Sequence, residues 1–243
     1  MHCRVVFSGM NRFMALSQFR DHVLYLISMP SQGFDANFFL FPEDVLGFYS
    51  RAMESGFCPS RPVTHEEVIS FIRSLQKALG PKDFVIFSVY SYVGSALFNA
   101  VYLVGERCWF FDFKRIAFDG ELAMFGPEVT KSWAVQAKVM AKSSHCIRSG
   151  DACIKGLHLF VCADIALFEK MKFGKDALCF VPAALLGAPG ISHMGKKLRG
   201  SGRIFINDAM QRTAWDISFG SRNARTEKLE FRGKPYLSIE FER

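Results

Sequence analysis

Ten residues near the middle of the chain constrain its fold more than any others: Gly156-Leu157-His158-Leu159-Phe160-Val161-Cys162-Ala163-Asp164-Ile165. An apolar run of strand character ends on a cysteine, Asp164 follows two positions later, and 165–171 has a helical pattern. The stretch reads as a buried strand, a sharp turn and a helix. It sets the Cys162 thiol at the strand's C-terminal tip and at the head of the helix, where the positive end of the helix dipole favours thiolate. Taken alone, the stretch reads first as a buried structural cysteine, since free Cys is among the most buried residue types.

The rest of the chain repeats this α/β grammar. Residues 4–7 read as a short strand, 12–28 as an amphipathic helix, and Asn37-Phe38-Phe39-Leu40-Phe41 as a buried strand ending at Pro42-Glu43-Asp44, with a short helix to follow through Met53. Thr64-His65-Glu66-Glu67 has the form of a capping box, with Val68, Phe71, Ile72, Leu75 and Leu79 as the apolar stripe behind it and Gly80-Pro81 as the stop. Strands are expected at 84–90, 97–104 and 107–113, the last two joined by a turn at Gly105-Glu106. Residues 115–130 read as an irregular loop and 131–142 as a helix. Further strands are expected at 177–182, 203–207, 213–218 and 235–241. No repeat or linker divides the chain, so residues 1–243 are read as one domain, α/β with mixed sheets or a sandwich of layers.

Composition removes several classes. The 243 residues are half hydrophobic, with 26 Phe, which supplies a sizeable core and argues against disorder. Seven cysteines without paired or zinc-type spacing point away from a disulfide framework and from a metal site, and towards a reducing, cytoplasmic compartment; export from the producing cell stays open. Phe84 to Gly105 is long enough to span a membrane and uncharged. Its Ser, Tyr and Asn content and the central Gly94-Ser95 favour two strands and a turn, so no membrane span is expected. Net charge is +7, and the last 53 residues carry 11 Lys/Arg against 6 Asp/Glu. These cations are dispersed, so nucleic acid is not the expected partner.

Three reactive side chains then stand just after three apolar strands: Glu43 after Phe38–Phe41, Lys114 after Cys108–Phe113 and Cys162 after Leu157–Val161. Open α/β sheets build their sites at this edge. A thiol, a carboxylate and an ammonium can together perform acyl transfer as nucleophile, base and oxyanion stabiliser. His145, His158 and His193 stand in no such pattern, and His158 is read as a partly buried packing residue within a strand.

These residues carry a family resemblance. Phe39-Leu40-Phe41-Pro42-Glu43 resembles the "vvfPE" motif of the nitrilase (carbon–nitrogen hydrolase) superfamily, Phe98-Asn99-Ala100-Val101 its "yNsa" strand, and Phe111-Asp112-Phe113-Lys114-Arg115 its lysine motif. Val161-Cys162-Ala163-Asp164-Ile165 with Glu169 is similar to its nucleophile motif, and Val181-Pro182-Ala183-Ala184 to the strand that follows. The five occur in the family's order and cover residues 36–186. The resemblance implies a four-layer α-β-β-α sandwich and a Glu–Lys–Cys triad. It makes Glu43 the general base, Lys114 the stabiliser of the tetrahedral intermediate, Cys162 the nucleophile and the backbone N–H of Ala163 a second oxyanion donor. A further family Glu is best matched by Glu121, then by Glu128. No cofactor or metal is implied.

The departures are equally specific. Ala163, Ala166 and Phe168 replace the family's usual bulky aromatic, Arg and Pro, and Leu185 to Gly202 is short, Gly-rich and basic where members carry a Trp-containing segment and a helix. That puts the family's usual homodimer surface in doubt. It also suggests a site open to larger substrates, a peptide or protein amide as well as a small-molecule amide. The expected activity is amide, rather than nitrile, hydrolysis through a thioester. The alternatives are an N-acyltransferase with the same triad and a catalytically silent protein that binds a partner through its basic C-terminal surface.

Overall fold

The structure, a computed structural model, describes residues 1–8, 13, 15–47, 62–117, 119, 121–127, 145–164, 173, 176–183, 202–208, 213–218, 224–231 and 234–243, with 213–218, 224–231 and 234–235 described by backbone alone. Two sheets pack face to face. The first has strand order β12 (Ala224–Phe231), β13 (Lys234–Glu242), β1 (His2–Phe7), β2 (Ala36–Leu40), β4 (Asp83–Val93), β5 (Ala96–Gly105) and β6 (Cys108–Phe113), with the short β3 (Val63–Thr64) beside β4. The second runs β11 (Thr213–Ser218), β10 (Arg203–Asp208), β9 (Leu178–Ala183), β8 (Ala152–Leu159) and β7 (His145–Ser149). Each sheet is mixed. β1, β2 and β4 are parallel in the first sheet, β8, β9 and β10 in the second, and antiparallel strands flank both sets.

The period-two alternation of a strand explains the layers. In β2, Phe38 and Leu40 face the second sheet, where Phe38 meets Phe180 with ring centroids 4.9 Å apart. Phe39 and the following Phe41 face the other way, onto α1 (Leu16–Ile27) and α2 (His65–Gln76). Both faces are dry, so the strand reads as a continuous apolar run rather than an alternating one. Phe19 of α1 sits at the centre of this outer layer, within 5.4 Å of the rings of Phe41, Phe71 and Phe87. α2 starts with the expected capping box: the Glu67 N–H donates to Thr64 Oγ1 at 3.2 Å and the Thr64 N–H to Glu67 Oε2 at 2.6 Å.

The uncharged stretch Phe84 to Gly105 forms β4, a turn at Gly94-Ser95 and β5. No helix among the described residues is long and apolar enough to cross a membrane.

Some expectations need correction. Residues 115–130 are not simply a loop, because 121–127 are helical and bring Glu121 inward. The expected helix after Glu43 does not begin in its described part: residues 43–47 form a turn in which the Gly47 N–H donates to the Asp44 carbonyl at 2.7 Å, and 48–53 lie outside the described residues. Strands β7 and β12 were not anticipated. Their alternating or charged sequences lack the apolar runs that mark the central strands. The helices expected at 131–142 and after Asp164, Glu128 and Glu169, and the segment Leu185 to Gly202 lie outside the described residues. Three layers are therefore in view among the described residues, helix, sheet and sheet; the helices expected for a fourth lie outside the described residues.

Candidate active site

The site lies where the two sets of parallel strands end. β2 leads through Phe41 and Pro42 to Glu43, β6 ends directly before Lys114, and β8 leads through Phe160 and Val161 to Cys162. Glu43 is 4 % exposed, Cys162 5 %, and Lys114 and Glu121 are fully buried.

Lys114 organises the cluster. Its Nζ donates to Glu43 Oε1 at 2.8 Å and to Glu121 Oε1 at 2.8 Å. Its own main chain is fixed by β5, since the Lys114 N–H donates to the Asn99 carbonyl at 2.8 Å. The Asn99 side chain closes the next link, Nδ2 donating to Glu43 Oε1 at 2.7 Å. On the far side the Tyr90 hydroxyl donates a short hydrogen bond to Glu121 Oε1. The two carboxylates thus have separate keepers, Asn99 for Glu43 and Tyr90 for Glu121, and share one ammonium.

Burial is the largest influence on both members of the pair. It pushes the Glu43 carboxyl above its usual range. Lys114 opposes that rise, the Glu121 charge adds to it, and hydrogen bonds from Lys114 and Cys162 lower it again. For Lys114, burial works against the charge, but Glu43, Cys162 and Glu121 outweigh it and raise the ammonium pKa. Lys114 is therefore a permanent cation, while Glu43 is a carboxylate of increased basicity in hydrogen-bond contact with a thiol. Such a base suits removal of a thiol proton near neutral pH.

Cys162 sits in a tight turn, Cys162 to Asp164, with φ +43. A left-handed backbone at a non-glycine residue costs about 1–3 kcal/mol and persists only where its surroundings enforce it. Asp164 supplies that enforcement. Its N–H closes the turn onto the Val161 carbonyl at 3.0 Å, and its Oδ2 accepts from the Val161 N–H at 3.3 Å. Its Oδ1 accepts from the backbone N–H groups of Arg115 and Ile116 at 2.7 and 2.8 Å. Asp164 thus cross-links the cysteine turn and the lysine segment. Burial raises its carboxyl to about 7, while the Arg115 charge and the N–H donors act in the opposite direction. Arg115 pairs with Asp112 and lies over the Phe160 ring at 5.5 Å.

All the expected site residues that fall within the described chain converge: Glu43, Lys114, Glu121, Cys162 and, beside it, Ala163. Tyr90 and Ser88 carried no sequence signal beyond being polar residues inside an apolar strand. Ser88 Oγ accepts from the N–H of Asp44, which itself has φ +55. Asn99 stood within a quoted motif, but its contact with Glu43 was not foreseen. His158 and His145 lie on β8 and β7, pack against Phe173 and Phe110, and have lowered pKa values caused first by burial. No group of three or more His, Cys, Asp or Glu able to hold a metal ion occurs among the described residues.

No family model matches the sequence, and no curated protein matches it. Solved structures do. An amidase from Nesterenkonia sp. is 16% identical, with 99% of this chain and 90% of that chain covered at a TM-score of 0.60. Nit3 of Saccharomyces cerevisiae, a member of branch 10 of the nitrilase superfamily, is 11% identical over 99% and 90% at 0.63. XC1258 from Xanthomonas campestris, a carbon–nitrogen hydrolase superfamily protein with an arsenic adduct in its active site, is 15% identical over 100% and 90% at 0.56. At these identities the likeness is one of fold, and the fold of this chain is a divergent form of the nitrilase, or carbon–nitrogen hydrolase, fold.

Proposed function

We propose that the protein is a cysteine-dependent amidohydrolase that cleaves a non-peptide carbon–nitrogen bond through a thioester on Cys162. The reading is carried by one observation: a fully buried Lys114 ammonium lies 2.8 Å from both Glu43 and Glu121, with the Cys162 thiol hydrogen-bonded to Glu43. A buried charge cluster of this kind costs several kcal/mol of desolvation, and its value lies in chemistry rather than in stability.

The proposed steps follow from the geometry. Glu43 takes the thiol proton, and the thiolate attacks the amide carbon. Lys114 and the Ala163 N–H stabilise the oxyanion that forms. The protonated Glu43 returns its proton to the departing nitrogen, which leaves as ammonia or an amine. Glu43 then activates a water that hydrolyses the thioester. Glu121 and Tyr90 keep Lys114 aimed at the reaction centre. The absence of a bulky side chain at Ala163 favours an open site, so peptide and protein side-chain amides belong in the substrate screen beside small amides.

Intact-mass spectrometry of the protein after incubation with an amide library tests this reading. The expected result is an acyl adduct on Cys162 with release of ammonia or amine, both lost in Cys162→Ala and strongly reduced in Glu43→Gln. Amide turnover undiminished in Cys162→Ala would remove the mechanism.

A further inference from the structure

A second thiol site lies on the β7–β8 hairpin, at the end of the sandwich opposite the Glu43–Lys114–Cys162 cluster. β8 starts beside it and runs to the cysteine turn. In this hairpin Ile147 and Ile154 point into the core between the sheets, so Cys146, Arg148, Cys153 and Lys155 share the outward face. Both cysteines are exposed.

The register brings them together. Arg148 is opposite Cys153, and Ile147 opposite Ile154, but His145 is opposite Leu157. Lys155 and Gly156 therefore stand against the single residue Cys146, a bulge that Gly156 permits with φ +66. A bulge increases local twist and re-aims the facing side chain. Cys146 and Cys153 are diagonal neighbours on one face, near enough for each thiol to influence the other, while the Cys146 thiol donates to the Ile147 carbonyl at 4.0 Å. The neighbouring Cys153 thiol, and after it burial, push the Cys146 thiol up, while the nearby Lys155 and Arg148 charges act in the opposite direction. Arg243 interacts with both sulfurs, after Cys3 and Asp176. The Arg243 guanidinium is held there by the carbonyls of Lys155 and Asp176. An open cleft of about 610 Å³ reaches Cys146 from the side. Cys108 lines the same cleft, but it packs against the core and burial pushes its thiol up.

We propose that Cys146 and Cys153 form a redox-active dithiol that reacts with small anionic disulfides and closes into an intramolecular disulfide. The Cys153 sulfur, as thiolate, attacks the disulfide RSSR. A Cys153–SR bond forms, the S–S bond of the reagent breaks, and one RS⁻ leaves and takes a proton from water. Cys146 then loses its proton and attacks the Cys153 sulfur, expelling the second RS⁻. Two thiols are oxidised by two electrons and one RSSR is reduced to two RSH. The surrounding cations select an anionic reagent.

The site does not depend on the chemistry proposed for Cys162, so the test uses the full chain carrying Cys162→Ala. The protein is incubated with glutathione disulfide, alkylated with iodoacetamide and digested with trypsin. Cleavage after Arg148 separates the two cysteines into the peptides Ser143–Arg148 and Ser149–Lys155. The expected product is these two peptides joined by a disulfide, with a loss of about 2 Da from the intact chain. In Cys146→Ser the second step is blocked, and Cys153 retains one glutathione group. Alkylation of both cysteines after treatment, a link from either to Cys108 or to a second chain, or no glutathione retained on Cys153 in Cys146→Ser would overturn the proposal.

Discussion

The Asp164 carboxylate accepts the backbone N–H of Arg115 at 2.7 Å, and this bond joins the turn that carries Cys162 to the strand end that carries Lys114. With the neighbouring bond from Ile116 and the return bond from Val161, one buried carboxylate ties the turn of Cys162 to the backbone after Lys114. Neither residue needs to touch a substrate for the relationship to matter.

Asp164→Ala leaves three N–H donors without this acceptor. Each unsatisfied buried donor costs about 1–3 kcal/mol, so a loss of about 3 kcal/mol or more in urea unfolding is expected. The rate of Cys162 alkylation by iodoacetamide at a fixed pH should fall as well, because the turn relaxes. A variant with wild-type alkylation kinetics would show that Asp164 does not position the thiol.

Lys114→Met removes the cation between two buried carboxylates. Breaking a buried ion pair from one side costs about 3–5 kcal/mol. Glu43 already has a raised pKa through burial, and loss of the ammonium raises it further. A carboxyl whose folded pKa exceeds its unfolded value is stabilising when protonated, and stability falls as pH rises past the unfolded value of 4.5 towards the folded one. The variant should therefore melt at a higher temperature at pH 5 than at pH 8, and more so than wild type. Parallel melting curves across that range would refute the coupling.

Cys162 has φ +43, which gives its two simplest knockouts different stabilities. Alanine inherits the strained backbone; glycine adopts it freely. Cys162→Gly should be more stable than Cys162→Ala by about 1 kcal/mol, the reverse of the order at an ordinary helical or strand position. Chemical denaturation of the pair, read at matched protein concentration, decides it.

His158 has its pKa lowered to about 4, first by burial and then by His145 and Arg115. The folded protein holds it neutral above that value, while the unfolded chain takes up a proton below 6.5. Its contribution to stability is intact above 6.5 and is lost as pH falls towards 4. His158→Gln should flatten this part of the melting-temperature profile relative to wild type, and an unchanged slope would remove His158 as its cause.

Much of this site was legible because strand ends are marked by abrupt changes of chemistry. Leu40-Phe41 gives way to Pro42-Glu43, Phe113 to Lys114 and Val161 to Cys162, and each reactive side chain lies where the apolar run stops. The helix His65–Gln76 was equally plain, since Thr64 and Glu67 form a local device that needs no tertiary partner. What was hidden depends on register. Asn99 reaches Glu43 only because β4 lies between β5 and β2, with Tyr90 opposite Asn99 and Ile86 opposite Leu40. Tyr90 reaches Glu121 only because 121–127 coil into a helix that the sequence, interrupted by Gly126-Pro127, presents as a loop. The approach of Cys146 to Cys153 likewise follows from the hairpin register, Ile147 opposite Ile154 and Arg148 opposite Cys153, which no periodicity announces.

Two contacts tie Glu43 and the strand before it to the opposite sheet. The Glu43 N–H donates to the Ala183 carbonyl at 3.3 Å, and Asn207 Nδ2 donates to the Leu40 carbonyl at 2.6 Å. The end of β2 is thus held by main chain of β9 and a side chain of β10, across the interface between the sheets. The consequence is that the Glu43–Lys114 pair of one sheet meets the Cys162 thiol of the other only across this interface. Docking of the sheets is the step that brings the Cys162 thiol to the Glu43–Lys114 pair, and a chain with one sheet formed holds an ordinary thiol. Onset of Cys162 reactivity therefore reports assembly of the sandwich, rather than the earlier formation of its strands.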